Sequence, residues 1–230
     1  MTGVSEMIDV IPMLRVIPGS ERAPLLTGAR VSHLSHHEAL FREGGRADRF
    51  SFPIEGWIKL SKIHASGRVV IICLVGPGQL ICGNAVYAGK PYCCSALAAT
   101  KRAQILSVPR YDLVRFVERY PEVTRGFLRE ITCRGMQLCH RIEELTSGKV
   151  ERRLAALFVR LLPADTGLDG AMIPLALTRQ ELADLCGSTV ETAIRAMRRL
   201  DERDVLRTIK TGFVVIDPET LRGLAGHVGD

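Results

Sequence analysis

The chain has 230 residues, enough for two small domains or one large one, and its 47% hydrophobic and 24% charged composition is that of an ordinary protein with a buried core. The formal net charge is +6, but from Ser147 onward 12 Lys and Arg face 12 Asp and Glu, so whole-chain charge is a weak argument for a polyanion partner. Seven irregularly spaced cysteines exclude a disulfide framework, and no apolar run approaches the ~18 residues a membrane span needs.

The first 20 residues, with Glu6, Asp9, Pro12 and Pro18, lack the basic start and apolar block of a secretory signal peptide. The expectation is a cytoplasmic protein with reduced cysteines and no membrane association. From about Val31 to Val108 the pattern is short strands cut by turns. "FSFPIEGWIKLSKI" (Phe50 to Ile63) alternates and turns at Glu55-Gly56. "RVVIICLVGPGQLICG" (Arg68 to Gly83), "YAGKPYCCSALAAT" and "AQILSVP" follow. Glycine punctuation at Gly44-Gly45, Gly56, Gly67, Gly76, Gly78 and Gly89 argues for a small antiparallel barrel or jelly roll.

From Arg110 to about Ser147 the period becomes helical, and Pro121 can occupy a first helical turn. Leu128, Ile131, Gly135, Leu138, Ile142 and Leu145 are spaced alternately three and four apart, a heptad seam. Either the seam meets a second copy of the chain, with Gly135 allowing close backbone approach, or it packs on the chain's own barrel. Thr146-Ser147-Gly148 reads as a hinge, "KVERRLAALFVRLL" (Lys149 to Leu162) as a helix, and "PADTGLDGAMIPLAL" as a polar connection.

"LTRQELADLCGSTVETAIRAMRRL" (Leu177 to Leu200) then holds two short amphipathic helices split at a Gly-Ser step. Thr178 with Glu181, and Ser188 with Glu191, fit capping boxes. Gly187 can take the positive φ of a sharp turn, and Ala183 lets the second helix cross closely. With Leu182, Leu185, Ala193, Met197 and Leu200 inward, the pair is a helix-turn-helix. Its second helix then presents Val190, Glu191, Ile194, Arg195 and Arg198 outward.

Glu191 and Arg195 lie four apart. That spacing suits an ion pair on a solvated helix, worth a few tenths of a kcal/mol. It equally suits base reading, a carboxylate accepting from cytosine N4 and a guanidinium forking onto guanine. The small-residue turn before this helix and the hairpin after it, "VLRTIKTGFVVID" (Val205 to Asp217), favour double-stranded DNA. Arg198, Arg199, Arg203, Arg207 and Lys210 surround the helix as candidate phosphate contacts.

These motifs resemble the CRP/FNR superfamily of bacterial transcription regulators, over about Val31 to Asp217. "LTRQELADLCGSTVETAIRAMRRLDERDVL" resembles the family's DNA-reading domain, and "FREGGRADRFSFPIEGWIKL" and "LVGPGQLICG" its barrel. The resemblance implies an α+β chain. An antiparallel β-roll, a double-stranded jelly roll, would fill residues 1–120. A dimerisation helix and hinge would follow at 121–147, and a winged helix-turn-helix at 148–230. It also implies a homodimer on a pseudo-palindrome, with RNA polymerase as a further partner.

By position, the resemblance places Thr178, Arg179 and Gln180 near the DNA backbone. It faces Val190, Glu191 and Arg195 to bases, with Thr189, Thr192 and Arg198 in support. The cyclic-AMP branch carries arginine where this chain has Val190. The fumarate-nitrate branch carries "TVET", as Thr189 to Thr192 do here, which implies a TTGA-like half-site. Ile194 departs from that branch, where serine is usual.

The family's nucleotide pocket needs a glutamate for the ribose and an arginine-serine pair for the cyclic phosphate. Here the corresponding turn ends Gly83-Asn84, the phosphate segment reads Tyr92-Cys93-Cys94-Ser95, and no arginine lies between Arg68 and Arg102. A buried phosphate would lose its bidentate partner. Leu138 and Cys139 stand where adenine-facing polar residues are usual. Cyclic AMP is therefore not the expected effector.

An N-terminal iron-sulfur cluster is not expected either, because the first cysteine is Cys73. Cys93-Cys94 is a pair of half-buried thiols, a thiol switch or a haem ligand. Haem would draw its axial ligands from residues such as His140 or His64. Cys73, Cys82 and Cys186 read as small core residues. His33, His36 and His37 read as a polar turn, and no metal site is expected. The alternative to a DNA regulator is a haem- or thiol-based gas or redox sensor whose ligand binding is its main activity. No nucleophile-base set, phosphate-cradling glycine loop or HExxH argues for an enzyme.

Overall fold

Short runs of Val, Ile, Leu and Phe suit pleated, half-buried surfaces, and in the first half of the chain they form strands β1 (Arg30–Ser35), β2 (Ala39–Phe41), β3 (Arg49–Glu55), β4 (Ile58–Ile63), β5 (Val69–Val75), β6 (Ser95–Ala98) and β7 (Arg102–Pro109). The computed structural model describes residues 3–65, 67, 69–162 and 171–226, apart from the side chains of Val4, Leu145 and Ser147. Two units divide between Met136 and Gln137.

In the first unit all strand pairings are antiparallel, in one sheet ordered β1-β7-β3 and another ordered β2-β6-β4-β5. Phe50, Phe52, Ile58, Ala96, Ile105 and Val108, drawn from both sheets, are fully buried in one shared core. Gly56 turns β3 into β4 at φ +79°. A Cβ there would lie 2.4 Å from the Arg102 carbonyl oxygen, so the turn accepts only glycine. Pro53 sits on an edge strand, the position where its missing N–H costs no ladder bond. The outer carbonyls of that edge are covered by the next segment: Gly78 N donates to Pro53 O at 2.8 Å and Ile81 N to Ser51 O at 2.9 Å.

Residues 83–88 depart from the all-strand expectation. They form a helix, α3 (Gly83–Ala88), preceded in chain order by α1 (Val4–Asp9) and α2 (Ala23–Thr27). The N-terminal segment, to which the sequence assigned no element, buries Ile8, Ile11, Leu14, Ile17 and Leu25 in the same core. Arg22 organises it, donating to the carbonyls of Ile17, Ser5 and Arg15 and pairing with Asp9 at 2.8 Å.

Two further helices follow, α4 (Arg110–Arg119) and α5 (Pro121–Ser147). Tyr120 between them is extended, as the residue before proline must be, and Pro121 opens the second helix. The first turns of α5 pack on the β-roll: Val123 and Phe127 are buried, Ile131 is half-buried against the core, and Phe127 meets Phe50 edge-on at 6.0 Å. Ile131 thus belongs to the barrel side of the helix. Leu128, Gly135, Leu138 and Ile142 are exposed, with Leu128 at 58% and Ile142 at 65%. The Leu145 side chain lies outside the described residues.

In the second unit the helical stretch ends at Ser147, Lys149 is extended, and α6 (Val150–Leu161) begins. Most of the expected polar connection, residues 163–170, lies outside the described residues. It is followed by β8 (Ala171–Ile173), α7 (Arg179–Leu185), α8 (Val190–Glu202), β9 (Leu206–Ile209), β10 (Gly212–Val215) and α9 (Pro218–Ala225). The three strands form an antiparallel sheet ordered β8-β10-β9, and Phe158 packs on Phe213 at 4.7 Å to join α6 to that sheet. Among the described residues no helix is long and apolar enough to cross a membrane.

Candidate nucleic-acid interface and sensor site

Helix α7 starts where the sequence places it. The Thr178 hydroxyl accepts from Glu181 N at 3.1 Å, and the Glu181 carboxylate accepts from Thr178 N at 2.9 Å, a complete capping box. Arg179 and Gln180 are exposed on the first turn, and Gln180 donates to Asp184 at 3.0 Å. The turn that follows uses Gly187 at φ +56°. Ser188 N bonds back to Ala183 O at 2.9 Å, so Ser188 is still part of the turn. The cap of α8 is therefore Thr189, one residue beyond the expected Ser188. Its backbone is extended, and its hydroxyl accepts from Thr192 N at 3.3 Å.

The buried side of α8 is Ala193, Ala196 and Leu200, crossing the fully buried Ala183 of α7. Glu191, Arg195 and Arg198 are exposed, whereas Val190 and Thr192 are half-buried. Ile194, expected on the outer face, is half-buried too. It lines a groove of about 480 Å³ with Leu177, Leu182, Met197 and Phe213. Among the described residues Glu191 and Arg195 do not pair. Arg195 reaches only Thr192 Oγ1, at 3.4 Å, and that hydroxyl is 2.9 Å from Thr189 Oγ1.

The arginines from Arg198 to Arg207 are engaged. Arg198 pairs with Glu202 at 2.9 Å, and Arg207 with Asp204 at 2.9 Å and Asp201 at 3.5 Å. Arg203 and Arg199 share Glu151 of α6, at 3.0 and 3.7 Å. Surface pairs of this kind are worth about 0–1 kcal/mol, little enough for a phosphate to displace the carboxylate.

In the first unit, Gly83 is buried at the head of α3 and Asn84 beside it is exposed. Tyr92 is buried and lies flat on Phe41, with ring centroids 3.5 Å apart; its hydroxyl donates to Arg49 O at 3.3 Å. Burial pushes the Tyr92 phenol up to about 12. Ser95 is half-buried, and its hydroxyl accepts from Glu43 N at 3.0 Å. Cys93 is exposed and Cys94 buried.

Cys82, read from sequence as a core thiol in a strand, is instead the residue before α3. Its backbone is left-handed, and its Sγ lies 3.5 Å from Cys94 Sγ. No spacing rule would have paired two residues twelve apart across a helix and a turn. The signal available in the sequence was only their common place around the phosphate segment. Leu138 and Cys139 are exposed on the part of α5 that belongs to the second unit. Cys186 is a core residue as expected, and burial pushes its thiol up to about 12.

A β-roll, a long helix and a winged helix-turn-helix define a DNA-binding transcription regulator. Residues 31–120 match the model of the cyclic nucleotide-binding domain, and residues 152–224 that of the Crp-like helix-turn-helix domain. The chain is 27% identical over 201 residues to the nitrogen fixation regulation protein FixK of Bradyrhizobium diazoefficiens, covering 86% of this chain and 82% of the relative. It is 28% identical over 200 residues to the global nitrogen regulator of Nostoc sp., covering 83% and 87%. The solved structure of FixK2 from Bradyrhizobium japonicum shares the fold with a TM-score of 0.74 at 18% identity, over 87% of this chain and 99% of that one. The chain belongs to the CRP/FNR superfamily of bacterial transcription regulators.

The first family model implies a cyclic nucleotide, and the residues present do not fit one. The Ser95 hydroxyl already accepts from a backbone amide, Tyr92 is stacked flat on Phe41, and positions 93 and 94 carry thiols rather than guanidinium groups. Among the described residues no group of three His, Cys, Asp or Glu could hold a metal ion.

Proposed function

We propose that the chain is a homodimeric, sequence-specific DNA-binding regulator whose β-roll receives a signal other than cyclic AMP. The observation that carries the reading is Arg195, exposed on a capped helix and unpaired with Glu191, while Arg198, Arg199, Arg203 and Arg207 have carboxylate partners. Arg195 would fork onto guanine, Glu191 accept from cytosine, and Val190 touch a thymine methyl. Thr178, Arg179, Gln180, Thr189, Thr192 and Arg198 would position the helix on the backbone. The "TVET" at Thr189 to Thr192 supports TTGA-like half-sites.

The exposed Leu128, Gly135, Leu138 and Ile142 support a two-fold helix pair along α5. On this reading residues 1–120 sense, 121–147 dimerise and hinge, and 148–230 read DNA in the cytoplasm, with RNA polymerase as a further partner. The signal would act by favouring one arrangement of the helix pair, which sets the spacing of two recognition helices about one DNA turn apart.

The test is binding to a palindrome selected from random duplexes. Arg195→Ala is expected to cost about 1–3 kcal/mol on that palindrome and leave random-sequence binding unchanged. Equal weakening on every duplex would remove the base-reading role of Arg195.

A further inference from the structure

We infer that Cys82 and Cys94 are a dithiol that a peroxide converts to a disulfide, which makes the segment between β5 and β6 a modification site. The inference deepens the sensor reading of the β-roll and rests on that reading for its consequence at DNA. The two Sγ atoms are 3.5 Å apart and both residues are buried, so they are apposed without any ligand between them. Closing to the ~2.05 Å of a disulfide asks for about 1.5 Å of approach, within the reach of side-chain rotation.

Both thiols sit where a covalent bond would be felt. Cys82 is the left-handed residue, at φ 48° and ψ 34°, from which α3 departs, and Cys94 directly precedes β6. A bond between them would clamp the start of that helix to the start of that strand. Cys93, next in the chain, is exposed, and the Lys62 ammonium beside the segment pairs with Glu43 at 2.9 Å.

The pair is electronically asymmetric. The hydrogen bond shared by the two thiols holds the Cys94 thiol below its ordinary value, while the same contact and burial push Cys82 well above. On this proposal Cys94 is the attacking thiolate and Cys82 the thiol that resolves.

The chemistry balances with hydrogen peroxide as oxidant. The Cys94 thiolate attacks one peroxide oxygen, and the O–O bond breaks. Cys94 becomes a sulfenic acid, and the departing hydroxide takes up a proton as water. Cys82 Sγ then attacks the Cys94 sulfur. The S–S bond forms, the S–O bond breaks, and the second oxygen leaves as water with the Cys82 proton. Two thiols lose two electrons and two protons, and one peroxide is reduced to two waters.

The test uses the full chain, fully reduced, treated with equimolar hydrogen peroxide, then denatured, alkylated and mapped by peptide mass spectrometry. A peptide joining Cys82 to Cys94, lost on dithiothreitol treatment, is expected. Cys93→Ser should leave that link intact. Cys82→Ser should replace it with a Cys94 sulfenic acid trapped by dimedone, and Cys82→Ala, checked for native circular dichroism, repeats the result without a hydroxyl. A Cys93–Cys94 link overturns the proposal. So does oxidation confined to the exposed Cys93, Cys133 and Cys139 while Cys82 and Cys94 remain alkylatable.

Palindrome affinity is measured on the same samples. About a tenfold change on oxidation is the expected coupling, and no change would remove the bond's signalling role. Reduced protein with no sequence preference would instead sink the regulator reading and leave the mapped bond standing.

Discussion

The Glu144 carboxylate takes both terminal nitrogens of Arg160, at 2.8 and 3.3 Å, and ties the end of α5 to the end of α6. Only 12% of the Glu144 side chain and 19% of the Arg160 side chain are exposed, so water screens the pair poorly. Arg141, one turn earlier, donates to Leu185 O at 3.0 Å and adds a second tie, to α7. Glu144→Ala strands the Arg160 guanidinium with no carboxylate. The expected loss is about 1.5–3 kcal/mol in urea unfolding of the second unit. The double variant with Arg160→Ala should lose less than the two single losses added together. Simple additivity would mean that the pair contributes nothing.

The cap positions make a sharper test of the turn between α7 and α8. Thr178→Ala and Thr189→Ala each remove a hydroxyl that accepts from a helix N–H, and about 1 kcal/mol of stability should go with each. Ser188→Ala removes only a hydroxyl that donates to Thr189 O, and should change stability by less than about 0.5 kcal/mol. Thermal unfolding of the three variants would decide between Thr189 and Ser188 as the cap.

The two sides of α5 should answer differently to substitution. Leu138→Glu with Ile142→Glu puts charge on exposed apolar positions and is expected to give a folded monomer in analytical ultracentrifugation, with palindrome binding lost. Phe127→Ala, by contrast, opens a cavity beside Phe50 and should cost about 3–5 kcal/mol of folding stability. A dimer surviving the double glutamate change would place the partner contact elsewhere.

Asp217 caps α9. Hydrogen bonds from the Thr220 side chain and then its backbone N–H, at 2.9 Å for the latter, hold its carboxyl below the usual range. A depressed carboxyl stabilises the fold above its unfolded-state value, and that contribution is lost as pH falls through the folded value. Asp217→Asn keeps a cap without the charge. Its stability deficit against the parent should therefore shrink toward zero in acid, below the carboxylate range. A deficit independent of pH would show that the charge plays no part.

What could be read in the sequence was whatever local chemistry decides. Thr178-x-x-Glu181 and Gly187 need only their immediate neighbours, and each adopts the expected conformation. Pro121 likewise opens its helix. The six-residue α3 was illegible because its apolar residues match a strand as well as a single helical turn, and Cys82 leads into it with a left-handed backbone that no local signal demands. Ser188 and Thr189 are chemically equivalent caps, and the choice falls to a bond from Ser188 N to Ala183 O. At the candidate site, Arg195 was legible by its spacing. The partners of Arg199 and Arg203 were not, since Glu151 lies about fifty residues away and is brought in by packing. Cys82 and Cys94 meet for the same reason.

The shared carboxylate of Glu151 also bears on ionic strength. Each phosphate drawn to Arg199 or Arg203 must first evict a fixed anion, so fewer sodium or potassium ions are set free per contact than on bare DNA-facing guanidiniums. Affinity for duplex should consequently fall less steeply with added potassium chloride than a tally of basic side chains implies, and Glu151→Gln should steepen it.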